Sequence, residues 1–191
     1  MQPKLYRVKL ALAAGIFGGL SLFGAGSEAF AATIPFTGSG TYTNVSSSFT
    51  YDGAAPAALL TGSEKTNLGP ATFQVVSEVS PSAVACTAPD GTAGTTFNLV
   101  QTDAAGAWSN GQLYVTAAGA AAGSQCVSST TGSNGGSVTY TITGGTGAFA
   151  GASGRTLLKF AGQTLAAPGN PPGSNGLFGA GRFTFTGFLT K

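Results

Sequence analysis

The C-terminal stretch Arg182-Phe-Thr-Phe-Thr-Gly-Phe-Leu-Thr190 alternates apolar with small or hydroxylated side chains up to Phe188. That two-residue period marks a strand with one face in a core and the other in water. The same period recurs upstream. Over residues 137–143, Val138, Tyr140 and Ile142 share one face and Thr139, Thr141 and Thr143 the other. Over 71–79, Phe73, Val75 and Val79 oppose Thr72, Gln74 and Glu78, and Pro81 marks the end of the run. Residues 33–43, 95–101, 111–116 and 155–163 read as further strands and 46–51 as a weaker one, which makes eight. The segments 95–101 and 111–116 suit an antiparallel pair, with Phe97 and Leu99 facing Leu113 and Val115 across a connection, 103–110, that carries Trp108.

Between these runs the chain is irregular. Residues 56–69 show no strong period, and Ala57-Ala-Leu-Leu60 within them reads as the start of a helical turn or a segment lying against the end of the fold. Residues 117–123 are a small-residue linker, and 167–176 are too rich in Pro and Gly for regular structure. No long repeat or second domain is visible. The pattern predicts one all-β domain. A two-sheet sandwich is the alternative, and the alternation of residues 182–190 also raises an outer-membrane barrel. Sparse aromatic residues and a C-terminal Lys191 weigh against that last reading.

One stretch departs from the alternation. Gly144, Gly145, Gly147, Gly151 and Gly154 fall within eleven residues, with Phe149 as the one bulky side chain among Ala148, Ala150 and Ala152. Glycine at this density costs backbone entropy, so it implies positive φ or close approach of backbones, with Phe149 as an inward plug. A nucleotide-binding loop is excluded by context: position 150 is Ala where the fingerprint needs Gly, and a strand rather than a helix follows. The run Gly144-Gly-Thr-Gly-Ala-Phe-Ala-Gly-Ala-Ser-Gly154 resembles the turn signature of the allene-oxide-cyclase-like barrels, the superfamily that includes plant dirigent proteins. The resemblance implies an eight-stranded antiparallel barrel with a largely apolar interior, often assembled into homo-oligomers. It carries fold and little chemistry, since the functional residues of those proteins do not map onto this chain.

Composition changes the picture at the N-terminus. Lys4, Arg7 and Lys9 precede an uncharged apolar stretch from Leu10 to about Gly26, and Ala29 and Ala31 fit a small-x-small cleavage rule. We expect residues 1–31 to be a cleaved signal peptide and 32–191 the single domain, secreted, periplasmic or at the cell surface. The net charge of +2 then lies wholly in the leader. Residues 32–191 balance Asp52, Glu64, Glu78, Asp90 and Asp103 against Lys65, Arg155, Lys159, Arg182 and Lys191. Without a basic cluster, nucleic acid is not an expected partner.

In an exported chain, the pair Cys86 and Cys126 reads as a disulfide. Closing a loop of about forty residues, it would contribute roughly 3–4 kcal/mol. The chain contains no histidine, which removes imidazole acid–base chemistry and the usual metal sites, so no cofactor or metal is expected. Glu64 and Lys65 read as a solvated loop pair, and Asp52 and Asp90 as turn residues. Glu78, Asp103, Arg155 and Arg182 remain as candidates for the mouth of a cavity, the two arginines opening strands that could meet at one rim. These features favour a non-catalytic exported barrel that binds a small hydrophobic ligand or serves as a surface component. A cyclase- or isomerase-like, or dirigent-like, protein acting on a hydrophobic substrate is the alternative.

Overall fold

The computed structural model describes residues 31–50, 56–165 and 178–191. The expected signal peptide up to residue 30, the turn expected at Asp52 and the loop expected at 167–176 lie outside the described residues. Nine strands follow in order: β1 (Thr33–Thr50), β2 (Pro56–Thr66), β3 (Gly69–Thr87), β4 (Ala93–Trp108), β5 (Gly111–Ala118), β6 (Gly123–Val127), β7 (Ser133–Gly145), β8 (Ser153–Leu165) and β9 (Phe178–Thr190). Every pairing is antiparallel, and β1 pairs with both β2 and β9, so the single sheet closes on itself.

The ring has eight positions, because β5 and β6 share one. β5 pairs with the end of β4 at Gln101–Trp108 and with β7 at Thr141–Gly145, while β6 pairs with β4 at Thr95–Asn98 and with β7 at Asn134–Val138. The 3₁₀ turn Ala120–Ala122 steps between them. The architecture is a closed, barrel-like ring of eight antiparallel strands, not a two-sheet sandwich.

Alternation dictates which residues fill it. On β9, Phe183, Phe185 and Leu189 are buried inside while Arg182, Thr184 and Thr186 are exposed outside. This is the inverse of a membrane-spanning barrel, whose apolar side chains face outward. The interior aromatics need space, and glycines directly across the ladder supply it. Gly38 faces Phe185, Gly40 faces Phe183, Gly62 faces Phe73 and Gly181 faces Tyr42. A Cβ at Gly38, Gly40 or Gly62 would lie 2.5–2.6 Å from the facing ring. Each ring therefore lies over a bare backbone, the cross-strand arrangement in which an aromatic covers a glycine.

One end of the ring is plugged. Trp108 packs at 4.8 Å and a 50° tilt against Phe149, which the 3₁₀ turn Gly147–Phe149 carries inward, and lies 6.3 Å from Phe36. Ala152 and the partly buried Ala148 pack here, whereas Ala150 is exposed. In the glycine run, Gly144, Gly147, Gly151 and Gly154 all have positive φ. A Cβ on Gly147 would also lie 2.3 Å from the Asn110 carbonyl oxygen. Both chain ends of the sheet meet nearby, with Ala32 and Lys191 exchanging backbone hydrogen bonds.

At the opposite end, Cys86 and Cys126 are joined with Cα atoms 6.0 Å apart. The bond links β3 to β6 across β4: Cys86 pairs with Gly94 and Cys126 with Thr96. A Cβ on Gly94 would lie 2.9 Å from the Cys126 sulfur, so glycine leaves the bridge room to cross. Asp90 ties the same loops together, accepting hydrogen bonds from Thr92 (2.7 Å) and Thr131 (2.6 Å).

Several expectations need correction. Residues 46–50 continue β1, and the second strand is Pro56–Thr66, where no period was visible. β3 runs through Pro81 to Thr87; the ladder shifts register between Pro81 and Ala85, which is where proline is tolerated in a sheet. Residues 103–108 are strand, and β4 reaches β5 through the two residues Ser109 and Asn110. Leu113 and Val115 consequently face Gly106 and Ala104, not Phe97 and Leu99. Part of the supposed 117–123 linker is β5, and β6 begins at its end.

Candidate functional site

Inside the ring the side chains do not fill the space. A cavity of about 720 Å³ runs from the aromatic floor at Phe36, Trp108 and Phe185 to the disulfide end at Val79, Phe97 and Val127. Its wall is mostly aliphatic and aromatic: Leu60, Phe73 and Val75 from one side, Leu99, Leu113 and Val115 from another, Val138, Leu158 and Phe160 from a third. A volume of this order with an apolar lining and a few polar groups is what small-molecule sites share.

The polar groups fall at two levels. Towards the disulfide end, the Tyr42 hydroxyl donates to Asn134 Oδ1 at 3.5 Å, and Asn134 Nδ2 donates to Thr164 Oγ1 at 3.0 Å. Tyr42 is buried, and burial pushes its phenol up to about 12. Tyr140, also buried and lining the cavity, is raised by burial and, secondarily, by the negative charge of Asp103. Both phenols stay neutral at ordinary pH.

The second level is Glu64. It occupies the inward phase of β2 with Ala58, Leu60 and Gly62, opposite Gly40 on β1 and Ala71 on β3. A Cβ placed on Gly106 would lie 2.7 Å from Trp108 Cζ3 and 3.5 Å from Glu64 Oε1, so carboxyl and indole lie side by side over that glycine. Burial raises the carboxyl to about 7, and neither a hydrogen bond nor a neighbouring charge contributes to the shift. A carboxyl in an apolar wall resists ionisation because its charged form has lost water and gained no partner. Among the described residues, Glu64 is the carboxylate that faces the cavity.

The residues singled out from sequence lie elsewhere. Glu78 is completely buried, at a register shift opposite Ala57 and Gln101, but is not part of the cavity wall. Asp103 projects from the other face of β4 and accepts a hydrogen bond from Gln101 Nε2 at 3.0 Å. Arg155 and Arg182 are exposed on the outside. Arg155 pairs with Phe188, six residues along β9 from Arg182, so the two are separated by about 20 Å and do not share a rim. Glu64, read as half of a solvated pair, is the residue that sequence reasoning missed. Its phase with Leu60 was the available signal, blurred by the equally apolar Leu59 beside it.

Among the described residues, no cluster of His, Cys, Asp and Glu could hold a metal ion, and no helix is long and apolar enough to cross a membrane. No protein family matches the chain, and neither does any curated protein or solved structure.

Proposed function

We propose that this protein is an exported, non-catalytic barrel that carries a small, largely apolar molecule in its interior. The observation that carries the reading is the unfilled cavity of about 720 Å³, roomy at its centre although both ends are packed or pinned. A barrel built only as a structural unit would bring its large side chains together, because an apolar void forfeits contacts on every wall. The leader-like N-terminus and the disulfide support export. The closed eight-position ring and its glycine turn support kinship with the allene-oxide-cyclase-like barrels. Native mass spectrometry of protein purified from its own medium tests the reading. The expected result is an adduct of small-molecule mass, released on denaturation. Protein that arrives empty and takes up no hydrophobic fluorescent probe would refute it.

A second reading, an isomerase or cyclase acting on an apolar substrate, is favoured by Glu64 alone. A carboxyl held near neutrality within a mostly apolar cavity suits proton transfer. Turnover of a lipid epoxide by wild type and not by Glu64→Gln would establish it. No turnover by the wild type would remove it.

A further inference from the structure

We propose that the cavity's ligand is a lipophilic amine, an apolar body whose ammonium group pairs with the Glu64 carboxylate among the rings of Trp108, Phe73 and Phe183. The proposal deepens the ligand-carrier reading above and rests on it. Glu64 projects into the cavity, and among the described residues no cation or hydrogen-bond donor meets its carboxyl. Of the donors that line the cavity, Tyr42 and Asn134 are engaged with each other and with Thr164 near the disulfide end, and the Trp108 indole beside Glu64 donates to Thr66 Oγ1 at 3.4 Å. The site is therefore unbalanced by one acidic group. A neutral guest can offer that group hydrogen bonds but no balancing charge, and an anionic guest would be repelled. A cation supplies the missing charge, and the faces of the surrounding rings attract it further.

The other titratable groups facing this space do not compete. Tyr42 on β1 and Tyr140 on β7 remain neutral phenols. Among the described residues, the segments of β3, β4, β8 and β9 that line the cavity contribute no charged side chain. Lys65 and Arg182 are exposed on the outer face, and Asp103 projects from the other side of β4.

Octyltrimethylammonium is the probe, because its charge does not vary with pH; octanol and octanoate are the neutral and anionic comparisons. Binding to the purified protein is read by calorimetry and by Trp108 fluorescence. At pH 8 the cation is expected to bind at least tenfold tighter than octanol, and octanoate weakest. Because Glu64 must lose its proton to pair, the affinity for the cation should fall about tenfold from its plateau by pH 6 and about a hundredfold by pH 5. Octanol binding should stay nearly flat. Glu64→Gln should lose both the preference for the cation and its pH dependence while still binding octanol, which also verifies that the variant is folded. Octanol binding as tightly as the cation at pH 8, or an unchanged preference in Glu64→Gln, would overturn the proposal and leave the carrier reading intact. Failure of all three probes to bind would overturn both.

Discussion

Raising the pH from about 4.5 to 7 should weaken the fold, and Glu64→Gln should remove most of that slope. In the folded chain the Glu64 carboxyl titrates near 7, against 4.5 for the free side chain. Between those values the native state holds a proton that the unfolded chain has already released. Stability therefore falls as pH rises through the window, is fully present below 4.5 and is lost above 7. The gap corresponds to a ceiling of about 3 kcal/mol, and to roughly half that if water enters the cavity and screens the charge. For a domain of this size, the drop in Tm amounts to roughly 5–10 °C. The chain has no histidine, and Thr131 and Thr92 hold the Asp90 carboxyl below its usual range, so any loss from Asp90 comes at more acid pH. Urea midpoints measured every pH unit from 4.5 to 7.5, for wild type and Glu64→Gln, give the comparison. Parallel curves for the two proteins, or wild-type stability that rises across the window, would show that Glu64 is not the buried, unpaired acid described above.

Three further outcomes follow from the packing. Replacing both cysteines by serine should cost about 4 kcal/mol by loop closure over 40 residues, seen in denaturant midpoints, and should loosen the 88–92 and 128–132 loops in hydrogen exchange. Phe183→Ala should destabilise by about 3–5 kcal/mol, because the ring packs edge-on at 5.1 Å against Phe73 and is only 6% exposed. Within the glycine turn, Gly147→Ala should be costlier than Gly151→Ala: both have positive φ, but a Cβ at 147 meets the Asn110 carbonyl and one at 151 meets nothing within 4 Å. The second should cost about 1–2 kcal/mol by thermal melts, and the first distinctly more.

The parts of this fold that were readable in advance are those where side-chain chemistry and strand period agree. β7 and β9 alternate threonine with aromatic or branched residues, so their faces are legible without knowledge of their partners. β2 was not readable, because Pro-Ala-Ala-Leu-Leu-Thr-Gly-Ser-Glu-Lys-Thr contains few residues that favour strands. It is held extended by ladders to β1 and β3, a case of tertiary pairing overriding propensity. Glu64 was missed with it, since a carboxylate next to a lysine in an unassigned segment looks solvated until the phase of the strand is known. The four residues chosen for a cavity mouth were judged by their position at strand ends. Register, which sequence leaves open, sets Arg155 and Arg182 on the outside and takes Glu78 and Asp103 out of the cavity wall.

The closure of β1 onto β9 has a consequence for how the protein behaves in a crowd. Residues 32–191 carry as many acidic as basic side chains, so electrostatic repulsion gives copies little help in staying apart. A flat sheet with this composition would offer neighbouring chains a free border on which to template a growing fibril. Here, among the described residues, every strand has a neighbour on both sides, and the sheet leaves no such border. Against edge-to-edge growth, the protection that other proteins draw from surface charge comes in this one from topology.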